Sequence, residues 1–161
     1  MRLYIKQKIF SWKDKFYVKD ETGADRYYVE GELFSFGKKL HIYDMNGGEL
    51  AFIHQKVLSF LPRYFVYIGE TQVAEIVKEF TFFRNKYTIR GLDWEVDGDF
   101  LDHDYDITSH GRRIASISKE WFTWGDSYVI DIANASDSVL ALGVVLAIDC
   151  VLDAQEAARR N

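Results

Sequence analysis

Seven carboxylates crowd the fourteen residues from Asp93 to Asp106: Asp93, Glu95, Asp97, Asp99, Asp102, Asp104 and Asp106. Asp102, Asp104 and Asp106 alternate with His103, Tyr105 and Ile107, so on an extended strand the three acids share one face. Hard oxygen ligands suit Ca²⁺ or Mg²⁺, which makes Asp102, Asp104 and Asp106 the candidate metal ligands. The spacing does not open an EF-hand, because Ile107 stands where that loop needs Gly and Arg113 where it needs a bidentate Glu. Alternate residues on a strand face lie ~6.5–7 Å apart, too far for three carboxylates to reach one ion without a bend. The acidic run is therefore expected to be a solvated outer strand face.

Lys38-Lys39, with Lys13 and Lys15, and the pair Arg112-Arg113 are the candidate anion- or lipid-binding cations. Paired basic side chains near loops can grip phosphate; the same residues also discourage edge-to-edge pairing of strands. Trp121-Phe122-Thr123-Trp124, with Phe80, Phe82 and Phe83, could anchor at a membrane interface, although strand alternation sends part of each set inward. Catalysis finds little footing. Cys150 sits in an apolar segment, where a thiol behaves as a small hydrophobe. His41, His54, His103 and His110 have no zinc spacing, and neither a phosphate loop nor a G-x-S-x-G elbow is present. Asp149 is the odd residue, a carboxylate in an otherwise apolar stretch that needs a partner or an exit to water.

The elements that must position these groups are legible from periodicity. Between residues 2 and 132, alternating apolar and polar residues mark twelve short strands separated by turn signals such as Asn46-Gly47-Gly48. Several strands recur: Val29-Glu30-Gly31 with Val96-Asp97-Gly98, Leu40-His41-Ile42 with Tyr105-Asp106-Ile107, and Ala51, Ile53, Tyr64 and Val66 with Ala115, Ile117, Tyr128 and Ile130. A six-strand unit used twice, over residues 1–68 and 69–136, is the expectation. Val139 to Leu152 is apolar on every side except at Asp149, so a helix there must be buried. Fourteen residues fall short of the ~20 that span a bilayer. A barrel of twelve strands is too wide to fill with its own side chains, and a central helix over about 137–157 supplies the filling. Asn134, Ser136 and Asp137 are placed to cap it.

Composition agrees with one domain. The chain has 161 residues, 16% aromatics, one Pro and one Cys, enough to enclose a core and unlike a disordered segment. The N-terminus shows no uninterrupted apolar signal segment, and a single cysteine forms no intrachain disulfide; cytoplasmic residence is expected. Net charge is −5, made of +3 in residues 1–68 (11 Lys/Arg, 8 Asp/Glu), −6 in 69–136 (7 and 13) and −2 in 137–161 (2 and 4). That field does not suit a nucleic-acid binder.

The doubled strand unit, the terminal helix VLALGVVLAIDCVLD, the opening Tyr4-Ile5-Lys6-Gln7-Lys8 and the Leu146-Ala147-Ile148-Asp149 block resemble a LURP-one-related protein. That family belongs to the tubby C-terminal-like superfamily, with tubby and the phospholipid scramblases. The resemblance implies a mainly β fold: residues 1–161 as a single closed twelve-stranded antiparallel barrel around an apolar C-terminal helix. It also implies a lipid connection, since tubby domains bind phosphoinositides through surface Lys and Arg and scramblases are linked to phospholipid movement and calcium. The expected function is a non-enzymatic cytoplasmic binding or scaffold module, without cofactor, with anionic phospholipid at a membrane surface as its candidate ligand. A scramblase-like or calcium-dependent membrane protein and a protein-interaction adaptor are the alternatives.

Overall fold

A computed structural model describes residues 1–6, 15–32, 35–80, 85–122 and 125–161. Twelve strands precede one helix: β1 (Arg2–Lys6), β2 (Phe16–Asp20), β3 (Asp25–Gly31), β4 (Lys39–Asp44), β5 (Glu49–Gln55), β6 (Arg63–Ile68), β7 (Thr71–Phe80), β8 (Asn85–Arg90), β9 (Glu95–Asp99), β10 (Asp104–Ser109), β11 (Arg112–Phe122), β12 (Gly125–Ile132) and α1 (Ser138–Arg160). Each strand lies antiparallel to its neighbours in sequence, and β12 closes onto β1 to complete a barrel. Alternation decides which side chains enter the lumen. Leu40 and Ile42 of β4, Tyr64 and Val66 of β6, and Tyr105 and Ile107 of β10 all point into the core, with exposed or half-buried residues between them.

The turns follow from local chemistry. In the β4–β5 turn, Asp44 Oδ1 accepts the backbone N–H groups of Asn46 and Gly48, both at 2.9 Å, while Gly47 takes a φ of 87°. Gly98 has a φ of 139°, and a Cβ there would lie 2.5 Å from the Asp104 carbonyl oxygen and from Tyr105 Cα. Only glycine lets β9 and β10 approach this closely. Residues matched by the internal repeat occupy matching strands, and one register shift recurs at a matching place. One bulge falls between Ile42 and Tyr43, the other between Ile107 and Thr108.

Helix α1 runs through the lumen, and every residue from Ala141 to Val151 is buried. By length and composition it could cross a membrane, yet 67% of its most apolar window is enclosed by the barrel. The expected side-chain caps do not form. A 3₁₀ turn (Ala135–Asp137) runs directly into α1, leaving Asp137 in helical geometry with no side-chain cap, and Asn134 makes none either. Instead the Ser138 hydroxyl meets Tyr27 Oη at 2.9 Å inside the barrel.

This topology gives the barrel two unlike ends. At the entry end, where the chain passes from β12 into the helix, lie the hairpins after β2, β4, β6, β8 and β10. At the exit end, where the helix emerges after Val151, lie the connections after β1, β3, β5, β7, β9 and β11. Val145 is fully buried at the centre, so Val145→Asp would place an unpaired charge in the lumen. It should abolish cooperative thermal unfolding in circular dichroism; a soluble variant that melts cooperatively would contradict a helix-filled barrel.

Candidate functional site

The one carboxylate carried into the lumen has found two partners. His103 Nε2 lies 3.0 Å from Asp149 Oδ1, and the Tyr128 hydroxyl donates to Asp149 Oδ2. The His103 ring stacks on Tyr128, with centroids 4.4 Å apart and planes 18° apart. His103 reaches inward because the β9–β10 turn holds it in the left-handed region, with a φ of 49°, which His tolerates better than most residues. Asp99 braces that turn by accepting the N–H groups of Leu101 and Asp102. The hydroxyls of Tyr87 and Tyr105 are buried nearby without a partner among the described residues. Burial, followed by the negative charge of Asp149, pushes both phenols above the ordinary tyrosine range.

An Asp–His pair beside a cysteine invites comparison with a nucleophilic site. The geometry gives a different answer. Cys150 is fully buried, and burial holds its thiol well above the ordinary range, the opposite of what a thiolate nucleophile needs. His103 Nδ1 is also buried and has no partner among the described residues. The cluster clamps the helix to the barrel wall.

Solvent-facing features concentrate at the exit end. Phe36 in the β3–β4 connection, Leu58 and Phe60 in the β5–β6 connection, and Leu101 in the β9–β10 turn are exposed by 75%, 96%, 95% and 57%. Leu58 also has a φ of 58°, a conformation costing a non-glycine residue roughly 1–2 kcal/mol. Lys6, Lys56, Lys86 and Arg159 are exposed at the same end, Lys78 is buried there, and none of the five has an ion pair among the described residues. Three acids here are engaged: Asp153 by Lys38 at 2.7 Å, Asp102 by Lys119 at 3.0 Å, and Glu32 by His41 and Lys39. The His41 hydrogen bond is the main cause holding Glu32 below the usual carboxylate range. A groove of about 290 Å³ runs between the β5–β6 connection and the emerging helix.

The sequence-nominated cations do not form one patch. Lys13 lies outside the described residues. Lys15 sits 3.8 Å from Glu30 and 3.6 Å from the centre of the Tyr28 ring, Lys38 pairs with Asp153 and Lys39 with Glu32, all toward the exit end. Arg112 and Arg113 are exposed in the β10–β11 hairpin at the entry end. The acid triplet also divides. Asp104 and Asp106 share the outer face of β10, but Asp102 belongs to the preceding turn. No group of three or more His, Cys, Asp or Glu side chains converges for a cation among the described residues. Of the aromatic set, Thr123, Trp124, Phe82 and Phe83 lie outside the described residues, as do the side chains of Phe80, Trp121 and Phe122.

Comparison with known proteins decides the family. The model of the LURP-one-related family matches residues 1–149. The chain belongs to the LURP-one-related family. YxjI of Bacillus subtilis (strain 168) is 40% identical over 152 residues, covering 94% of each chain. An X-ray structure of an Arabidopsis thaliana protein superposes with a TM-score of 0.65 over 92% of this chain and 90% of that one, at 15% identity. Such a likeness shows the fold alone. LURP-one-related membership and this barrel support a binding or scaffold module in general.

Asp149→Ala leaves the Tyr128 hydroxyl and His103 buried without a partner and should cost about 2–5 kcal/mol. Denaturant unfolding of Asp149→Ala, Tyr128→Phe and the double variant would read this; additive effects would disprove the clamp. Cys150 should react with a thiol reagent only in denaturant, and rapid native-state labelling would contradict its burial.

Proposed function

We propose that this protein is a non-enzymatic cytoplasmic module that docks on anionic membrane surfaces through the exit end of its barrel. One observation carries the reading. Phe36, Leu58, Phe60 and Leu101, four of the large exposed hydrophobics, stand on three separate connections at one end, among cations with no ion pair among the described residues. Exposed apolar groups gathered in one place favour contact with another apolar phase. A surrounding set of Lys and Arg adds attraction to an anionic leaflet, about 1 kcal/mol or roughly fivefold in affinity per cation near the surface. Docking by this end brings Lys38 and Lys56 toward the lipid and directs Arg112, Arg113 and the acidic turns at Asp20, Asp44 and Asp93 toward the cytosol. The membrane surface, and not an enclosed lumen, is then the ligand, because α1 occupies the lumen.

Flotation with vesicles of phosphatidylcholine alone, or of phosphatidylcholine with phosphatidylserine, tests this. Binding should require the anionic lipid, weaken with salt, and fall several-fold in Lys56→Glu and in Phe36→Ser/Phe60→Ser. Absence of binding to anionic vesicles at low salt would sink the proposal.

The backbone at Leu58 offers a second test. Asn tolerates the left-handed region better than Leu, so Leu58→Asn should raise thermal stability by up to about 1 kcal/mol while lowering vesicle affinity. A variant that binds vesicles like the parent would remove Leu58 from the docking surface.

A further inference from the structure

We propose that the groove between the β5–β6 connection and the emerging helix binds one hydrocarbon chain of an amphiphile whose anionic head rests against Lys78 and Arg159. This rests on the docking reading above and assigns it a specific lipid site. The groove is about 290 Å³, near the lower end of small-ligand pockets. Leu58, Phe60 and Tyr64 line one side; Val151, Ala154 and Ala158 line the other. The three helical residues fall at i, i+3 and i+7, one face of α1, and Ala154 and Ala158 are small and exposed. The helix therefore leaves a trough here that an apolar chain can cover, and the neighbouring Leu58 and Phe60 lie almost wholly in water until something does.

Cations adjoining groove residues give the head its sign. Lys78 continues the inward series Ala74, Ile76, Lys78 along β7, and only 2% of its surface is exposed. Its backbone N–H donates to the carbonyl of Pro62, a groove residue, at 3.0 Å. Arg159 follows Ala158 on the helix, and its like charge acts on Lys78. Burial, reinforced by that neighbour, holds the Lys78 ammonium below the ordinary lysine range. Neither cation has an anionic partner among the described residues: Asp153 is taken by Lys38 and Glu156 by Arg160. Two like charges, one of them desolvated, are relieved by an anion placed between them. Lys56 lines the outer edge. The Tyr64 hydroxyl, buried without a partner among the described residues, can donate to an oxygen joining head to chain.

Dodecyl phosphate below its micellar concentration is the probe, titrated calorimetrically, with dodecanol and inorganic phosphate as separate arms. Saturable binding of one dodecyl phosphate per chain is expected, with both other probes weaker by at least about tenfold. Ala158→Trp, which fills the trough from an exposed position, should lose binding by a similar factor while melting like the parent. Arg159→Gln and Lys78→Met should weaken dodecyl phosphate but leave dodecanol unchanged. Ala158→Trp binding as tightly as the parent, or equal affinity for dodecyl phosphate and dodecanol, would overturn the site. Vesicle flotation separates the two readings. If the parent floats with anionic vesicles yet binds no dodecyl phosphate, the groove assignment alone falls; if it does neither, both fall.

Discussion

The width of the barrel governs everything else in this molecule. A twelve-stranded closed sheet encloses more space than its inward side chains can fill, and an unfilled apolar lumen would forfeit both burial and packing. One helix supplies the missing volume, so α1 is apolar on all sides from Ala141 to Ile148 and again at Cys150 and Val151. Gly143 marks how tightly it fits: a Cβ there would come within 3.3 Å of Val66. A helix this apolar matches the composition of a membrane span, and what makes it a core element is the wall of strands around it.

Filling a repeated barrel with a single helix breaks its symmetry, and the functional features arise from that break. Tyr64 and Tyr128 are equivalent in the two strand units and both point inward. Tyr128 meets Asp149 and locks the helix, whereas Tyr64 meets no partner among the described residues and lines the exit groove. The same asymmetry separates the ends. At the entry end, short turns are tied down by Asp20 and Asp44, each accepting hydrogen bonds from its own turn. At the exit end, Phe36, Leu58, Phe60 and Leu101 stay in contact with water beside a helix that leaves the core by turning polar.

Much of this was legible in the residues, and the misses have physical causes. Period-two alternation places all twelve strands, because inward and outward positions differ strongly in polarity at nearly every strand. The need of Asp149 for a partner was equally readable. Its partner was not: His103 lies 46 residues away, and it turns inward only because a tight turn holds it in the left-handed region. The helix begins within one residue of its expected start, but the expected caps fail for a local reason: a 3₁₀ turn leaves Asp137 in helical geometry and removes it from the capping role. Charge counted along the chain suggested a basic half and an acidic half. The up-and-down topology instead assigns consecutive turns to opposite ends, which divides Lys38 and Lys39 from Arg112 and Arg113.

Local pattern determined the strand count, the all-apolar helix and the repeat, because each depends on the spacing of neighbouring residues and on the cost of leaving apolar surface in water. Only the closed tertiary structure decided which residues share an end, which hydroxyl reaches Asp149, and that Lys56 and Tyr64 share a groove with the emerging helix. Those facts depend on register and on the depth to which the helix sits in the lumen. Both are settled by packing among residues far apart in the chain, and no local spacing encodes them.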